Sequence, residues 1–84
     1  MKRRGKSRAD EAFLKALGKN IERLIEKQGF SSPYDFWIKE AGDEVSRSAL
    51  NYILTGRTDP KASTLRALAR LLKVRPRDIL DFES

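Results

Sequence analysis

SSPYDFWIKEAGDEVSRSALNYILTGRTDP, residues 31–60, is the stretch on which the reading of the fold turns. Ser31-Ser32 supplies hydroxyls that can cap free helix amides, and Pro33 has the fixed φ of a first helical position. Asp35 follows two residues later, where a carboxylate meets the positive end of the helix. Phe36, Trp37, Ile38 and Ala41 give this segment its apolar content, and Gly42 closes a helix running Pro33–Ala41. Ser46 then caps the next helix, Arg47–Leu54, with Ala49, Leu50, Ile53 and Leu54 as its apolar stripe and Gly56 as its stop. Thr58-Asp59-Pro60 is turn chemistry, because proline disfavours helical geometry in the residue before it.

Helical periodicity continues on both sides. Phe13, Ala16, Leu17, Ile21, Leu24 and Ile25 recur at three- and four-residue spacings, which predicts a first helix begun by Ser7 or Asp10 and ended at Gly29. Ser63 can cap a fourth helix whose Leu65, Leu68, Ala69 and Leu72 share a face, and Arg75-Pro76 opens a brief fifth holding Ile79 and Leu80. No segment alternates with strand period and no repeat occurs. The expected fold is all-α: five short helices around one core over residues 10–82, preceded by a basic flexible arm at 1–9. With 84 residues there is room for one domain, which buries only about 60% of the surface its unfolded chain exposes.

Charge is distributed unevenly. The net charge is +6. Residues 1–8 carry five basic side chains and no acid; residues 45–77 carry eight basic side chains against Asp59 alone. The intervening segment 9–44 and the final residues 78–84 are acidic on balance. A polyanion bound on one side would suit that pattern, as would a solubilising distribution. Cysteine and histidine are both absent, which removes disulfides, thiolate metal sites and the commonest general base. Asp78, Asp81 and Glu83 read as a charged end, Asp43-Glu44 as a turn pair, and Ser46 and Ser63 as caps. No enzyme, cofactor or metal is expected. No apolar run of signal-peptide length follows Met1–Arg8, and none nears the roughly 20 residues of a membrane span, so a cytoplasmic protein without membrane contact is expected.

Two short helices joined through a glycine turn match a helix-turn-helix. A helix with its side chains is about as wide as the DNA major groove, so an exposed one can set its first residues against base edges. The helix before it crosses the backbone, where amino-terminal amides can hold a phosphate.

The chain resembles the phage-repressor/Cro family of helix-turn-helix domains, the XRE family. The residues that carry the likeness are Leu17-Gly18-Lys19-Asn20-Ile21, Ala41-Gly42, Val45-Ser46-Arg47-Ser48-Ala49-Leu50 and Ile53-Leu54-Thr55-Gly56-Arg57-Thr58-Asp59-Pro60. Ser63-Thr64-Leu65 and Leu68-Ala69-Arg70-Leu71-Leu72-Lys73-Val74 complete it, so it spans Leu17–Leu80, roughly three quarters of the chain. Two departures stand out. Where the family places a small residue against the third helix, this sequence offers Ile38, or Trp37 in a shifted register. Asp43-Glu44 also lengthens the turn by about two residues.

The resemblance implies a lambda-repressor-like five-helix domain, with helices 2 and 3 as the helix-turn-helix. It implies that the outer face of helix 3, Ser46, Arg47, Ser48, Asn51, Tyr52 and Thr55, reads bases. Arg47 would pair with guanine and Asn51 with adenine, each worth about 1–3 kcal/mol of discrimination. Ser46 is equally explained as a cap. Phosphate contacts fall to Arg57, Thr58 and Lys61 in the following loop and to Ser32 and Tyr34 on the other flank. Lys2, Arg3, Arg4, Lys6 and Arg8 read either as an arm lying along DNA or as a solubilising end. Arg66, Arg70 and Lys73 read as a solvated face. The implied protein is a sequence-specific transcriptional regulator, a repressor, binding double-stranded DNA at a palindromic operator as a homodimer, with Leu80 and Phe82 in the dimer contact. The alternative is an antitoxin-like or adaptor module that binds a protein partner through Tyr34, Trp37 and the carboxy-terminal apolar residues. RNA binding is set aside, since the glycine loops of RNA modules are missing.

Overall fold

The computed structural model describes residues 8–82, with side chains from Asp10 onward. Helix α1 spans Arg8–Lys27, α2 Pro33–Phe36, α3 Arg47–Leu54, α4 Ala62–Leu72 and α5 Pro76–Leu80; a π-helical turn, Trp37–Ala41, continues α2 directly. No strand occurs among the described residues, and the all-α expectation holds. Ser7 lies outside the described residues, and α1 already begins at Arg8, inside the segment assigned to the arm.

The buried face of α1 is Leu14, Leu17, Ile21, Leu24 and Ile25. This corrects the expected stripe, which started at Phe13. On a 3.6-residue helix Phe13 and Leu14 lie toward opposite sides of the arc that holds Leu17, Ile21, Leu24 and Ile25, so the period admits either, and what packs against α1 selects Leu14. Phe13 is 41% exposed and lies 5.4 Å from the ring of Phe82 at the far end of the chain. Asn20, the buried polar side chain of this face, donates through Nδ2 to the carbonyls of Asp78 (3.0 Å) and Ile79 (2.7 Å). Its Oδ1 accepts from Arg23. Carbonyls near the end of α5 are thereby satisfied, and α5 is latched to α1.

Gly18 allows α1 to touch the end of α3. A Cβ at this position would lie 2.3 Å from the Leu54 carbonyl oxygen. Gly56 ends α3 with φ +76, and the Arg57 amide closes back on the Tyr52 carbonyl at 2.9 Å. A side chain there would also strike Lys15.

The register of the second helix departs from a uniform α-helix. Phe36 and Ala41 are both fully buried although five residues apart. In an α-helix such residues diverge by about 140°. The π turn, with its i→i+5 spacing, returns Ala41 to the side of Phe36. Ile38, expected among the apolar contributors, is therefore 55% exposed, and half-buried Trp37 is the residue that faces the turn.

Helix α4 is entered through Lys61, which accepts the Thr64 and Leu65 amides on its carbonyl. Ser63 thus sits inside the first turn rather than capping it: once Pro60 is passed, nothing opposes helical geometry, and no hydroxyl is needed. Leu68, Ala69 and Leu72 are buried, with Leu65 half-buried, as the periodicity indicates. The helix ends at Lys73 in the left-handed region, φ 61, a conformation costing about 1–2 kcal/mol in a residue with a Cβ. Arg70 is exposed, as expected of a solvated face, and on that surface it pairs with Glu44 of the long turn. Ile79 of α5 is fully buried, and Leu80 is 49% exposed.

Candidate nucleic-acid interface

Each end of the helix-turn-helix is set by local chemistry. Ser32 Oγ accepts the Asp35 amide at 3.1 Å, and Asp35 Oδ2 accepts the Ser31 amide at 3.0 Å. That second bond, followed by the Lys39 ammonium 3.0 Å from Oδ1, holds the Asp35 carboxyl below its ordinary pKa. With Pro33 lacking a donor, much of the amide set expected to receive a phosphate near the start of α2 is already engaged, beside a fixed negative charge. Ser46 Oγ accepts the Ala49 amide at 3.0 Å and caps α3.

Helix α3 is held by Leu50 and Ile53, each 3% exposed, with Ala49 and Leu54 half-buried around them. The opposite face follows from the same period. Ser46, Arg47, Ser48, Asn51, Tyr52 and Thr55 are all exposed. Arg47, Ser48, Asn51 and Thr55 line an open groove of about 620 Å³, walled on its other sides by Tyr34, Trp37 and Glu22 among others. Tyr52 is exposed but does not line that groove, and Ser46 does not line it either. Thr55 Oγ1 donates to the Asn51 carbonyl at 2.8 Å, so its hydroxyl proton is used within the helix end.

Of the phosphate candidates, Tyr34 alone lines this groove. Arg57 and Lys61 are exposed, Thr58 is half-buried, and none of the three lines the groove. Ser32 is half-buried as a cap. Of the arm, Lys2, Arg3, Arg4 and Lys6 lie outside the described residues, and Arg8 is described only as the first backbone position of α1.

Three features escaped the reading of the sequence. The Arg47 guanidinium lies over the Tyr34 ring, with Cζ 4.5 Å from the centroid. Tyr34 stacks on Trp37, centroids 6.0 Å apart and planes at 22°, and Trp37 Nε1 donates to the Val45 carbonyl at 2.7 Å. Glu22 brings a carboxylate from α1 to the groove wall. The Tyr34–Trp37 spacing of three was a readable signal for neighbours on one helix face. Nothing local pointed to the contacts across the turn or to Glu22.

A capped, outward-facing helix set across a turn from a second short helix, inside an all-helical bundle, is the geometry of a helix-turn-helix DNA-binding domain. Residues 39–79 match the family model described as helix-turn-helix, from within the π turn to α5. Residues 39–79 thus carry a helix-turn-helix consistent with a domain of the Cro/repressor type, a family of DNA-binding transcription regulators. No curated protein and no solved structure matches the chain. Among the described residues, no helix is long and apolar enough to cross a membrane, and no cluster of acidic side chains has the arrangement of a metal site.

Proposed function

We infer that this protein is a sequence-specific DNA-binding regulator, acting in the cytoplasm as a repressor by occupying its operator, with α3 in the major groove. The observation that carries this reading is the division of α3: Leu50 and Ile53 are buried, while the exposed Arg47, Ser48 and Asn51 line an open groove that Leu50 reaches only at its edge of residual exposure. Arg47 can offer guanine a two-bonded fork and Asn51 can bond the adenine edge. Ser46, Tyr52 and Thr55 flank them, with Ser46 serving first as a cap. Arg57, Thr58 and Lys61, with Ser32 opposite, contact phosphates, and each phosphate neutralised by a basic side chain adds about −0.9 to the salt slope. The ring of Tyr34, expected on that flank, is taken up by Arg47 and Trp37. The basic arm, Lys2 to Lys6, with Arg8 at the start of α1, adds affinity along the duplex without reading sequence.

One α3 reads only a few base pairs, so a homodimer on a palindrome is the assembly we favour. Exposed Leu80 and the Phe13–Phe82 pair, none of which lines the groove, supply apolar surface for that contact. The same surface supports the alternative, an antitoxin-like or adaptor module that binds another protein. Selection of bound sequences from random duplex DNA tests the reading. A palindromic motif with half-sites about 34–36 Å apart is expected. Failure to enrich any sequence, or a protein whose salt slope and affinity ignore Arg47→Ala with Asn51→Ala, overturns it in favour of the adaptor.

A further inference from the structure

The geometry points to Tyr34 as a positioning residue that presets Arg47 for guanine, a role resting on the proposed base reading by α3. The Arg47 Cζ lies over the Tyr34 ring, 4.5 Å from its centroid, a separation at which a guanidinium can lie flat on the ring. The five N–H groups of an arginine lie in the plane of the guanidinium, not on its face. Arg47 can therefore stay stacked while both donors of one edge point into the groove it lines. Guanine asks for that arrangement, since its O6 and N7 accept two coplanar bonds.

The stack is itself anchored at both ends. Tyr34 lies on Trp37, whose indole N–H is fixed on the Val45 carbonyl, two residues ahead of Arg47 in the chain. The ring ladder thus sets both the side chain of Arg47 and the backbone entering α3. An arginine loses much rotamer freedom on binding, and one already ordered loses less, so the ring should raise affinity for the matching base without adding a contact to DNA. Tyr34 is 48% exposed, so its ring can be altered with little loss of core.

The experiment compares wild type, Tyr34→Phe, Tyr34→Leu and Arg47→Ala. Each is put through selection from random duplex DNA, then titrated against the wild-type-selected duplex and its single-base variants at several salt concentrations. Wild type should enrich a guanine that Arg47→Ala no longer distinguishes. Tyr34→Leu should reduce that guanine preference roughly five- to tenfold with an unchanged salt slope, and Tyr34→Phe, which keeps the ring, should restore it. In the DNA-free protein, Arg47 side-chain proton resonances should be shifted upfield by the ring in wild type and Tyr34→Phe, but not in Tyr34→Leu. Loss of guanine preference in Arg47→Ala but not in Tyr34→Leu overturns the positioning role and leaves the base reading intact. A uniform loss across sequences in Tyr34→Phe, with the salt slope unchanged because the lost hydroxyl carries no charge, assigns Tyr34 to a phosphate instead and also overturns it. No guanine dependence on Arg47 at all overturns the base reading and this role together.

Discussion

The α1–α4–α5 side of the molecule and the α2–π–α3 edge are held together by different chemistry. On the first side, Leu14, Ile21, Leu68, Leu72 and Ile79 are buried, and the polar exception, Asn20, spends its amide on backbone carbonyls. On the second, Phe36, Leu50 and Ile53 join the same core, and the short elements are oriented in addition by caps at Ser32 and Ser46, by Trp37 on Val45 and by a ring ladder under Arg47. Buried apolar area is non-directional and tolerates no polar display, so a surface meant to read a partner has to be held by directional contacts. The scaffold carries stability, and the edge carries orientation. Substitutions on the two sides should consequently separate stability from binding.

The largest effect is expected where the two regions touch. Gly18→Ala would force a Cβ to within 2.3 Å of the Leu54 carbonyl oxygen, backbone against backbone, and should destabilise the domain by about 3 kcal/mol. Thermal unfolding followed by circular dichroism should show a Tm lower by more than about 10 °C. A change of only a degree or two would mean that α3 is not seated on α1 as described.

Asn20→Ala comes next. It takes the side-chain donor from the Ile79 carbonyl and leaves Asp78 only the long bond from the Asp81 amide, a loss of about 2 kcal/mol, read as a lower urea midpoint at constant m. DNA affinity measured well below the midpoint should stay within about twofold, because α5 is remote in function from the groove. A large affinity loss in folded protein would erase the division of labour.

Trp37→Phe tests the edge. It removes the bond to Val45 and should lower stability by only about 1 kcal/mol. Its effect on affinity for the selected duplex should exceed its effect on stability, the reverse of Asn20→Ala. Equal losses in both would show the edge to be ordinary scaffold.

The smallest effect concerns acid. Asp35 is held below its ordinary value chiefly by the Ser31 amide and then by Lys39. A carboxyl whose folded pKa is depressed contributes stability above its unfolded pKa and loses it as pH falls through the folded one. Wild type should therefore be slightly more stable than Asp35→Asn at neutral pH, and the gap should close once pH drops below the carboxylate range. Parallel melts across that interval check it; a gap independent of pH removes the carboxylate from the account.

Much of this molecule is local and was legible in order along the chain. A cap needs its partner two or three residues away, a stripe recurs every three or four, and a proline acts on its immediate neighbour. Hence Ser32, Ser46, Gly29, Gly56 and the stripes of α3 and α4 stand where the amino-acid order puts them, and Arg47, Ser48 and Asn51 are exposed because Leu50 and Ile53 are not. What remained open depended on residues far apart in sequence or on a change of helical period. Whether Phe13 or Leu14 faces inward depended on what packed against α1, and whether Trp37 or Ile38 meets the turn depended on one π turn. The Glu44–Arg70 pair, the Asn20 latch, the Gly18 contact and the seat of Arg47 on Tyr34 exist only after the chain has closed on itself. The residue types on α3 are written in the chain; the direction in which its arginine is held is a property of the packed fold, because the ring that holds it arrives from the other side of the turn.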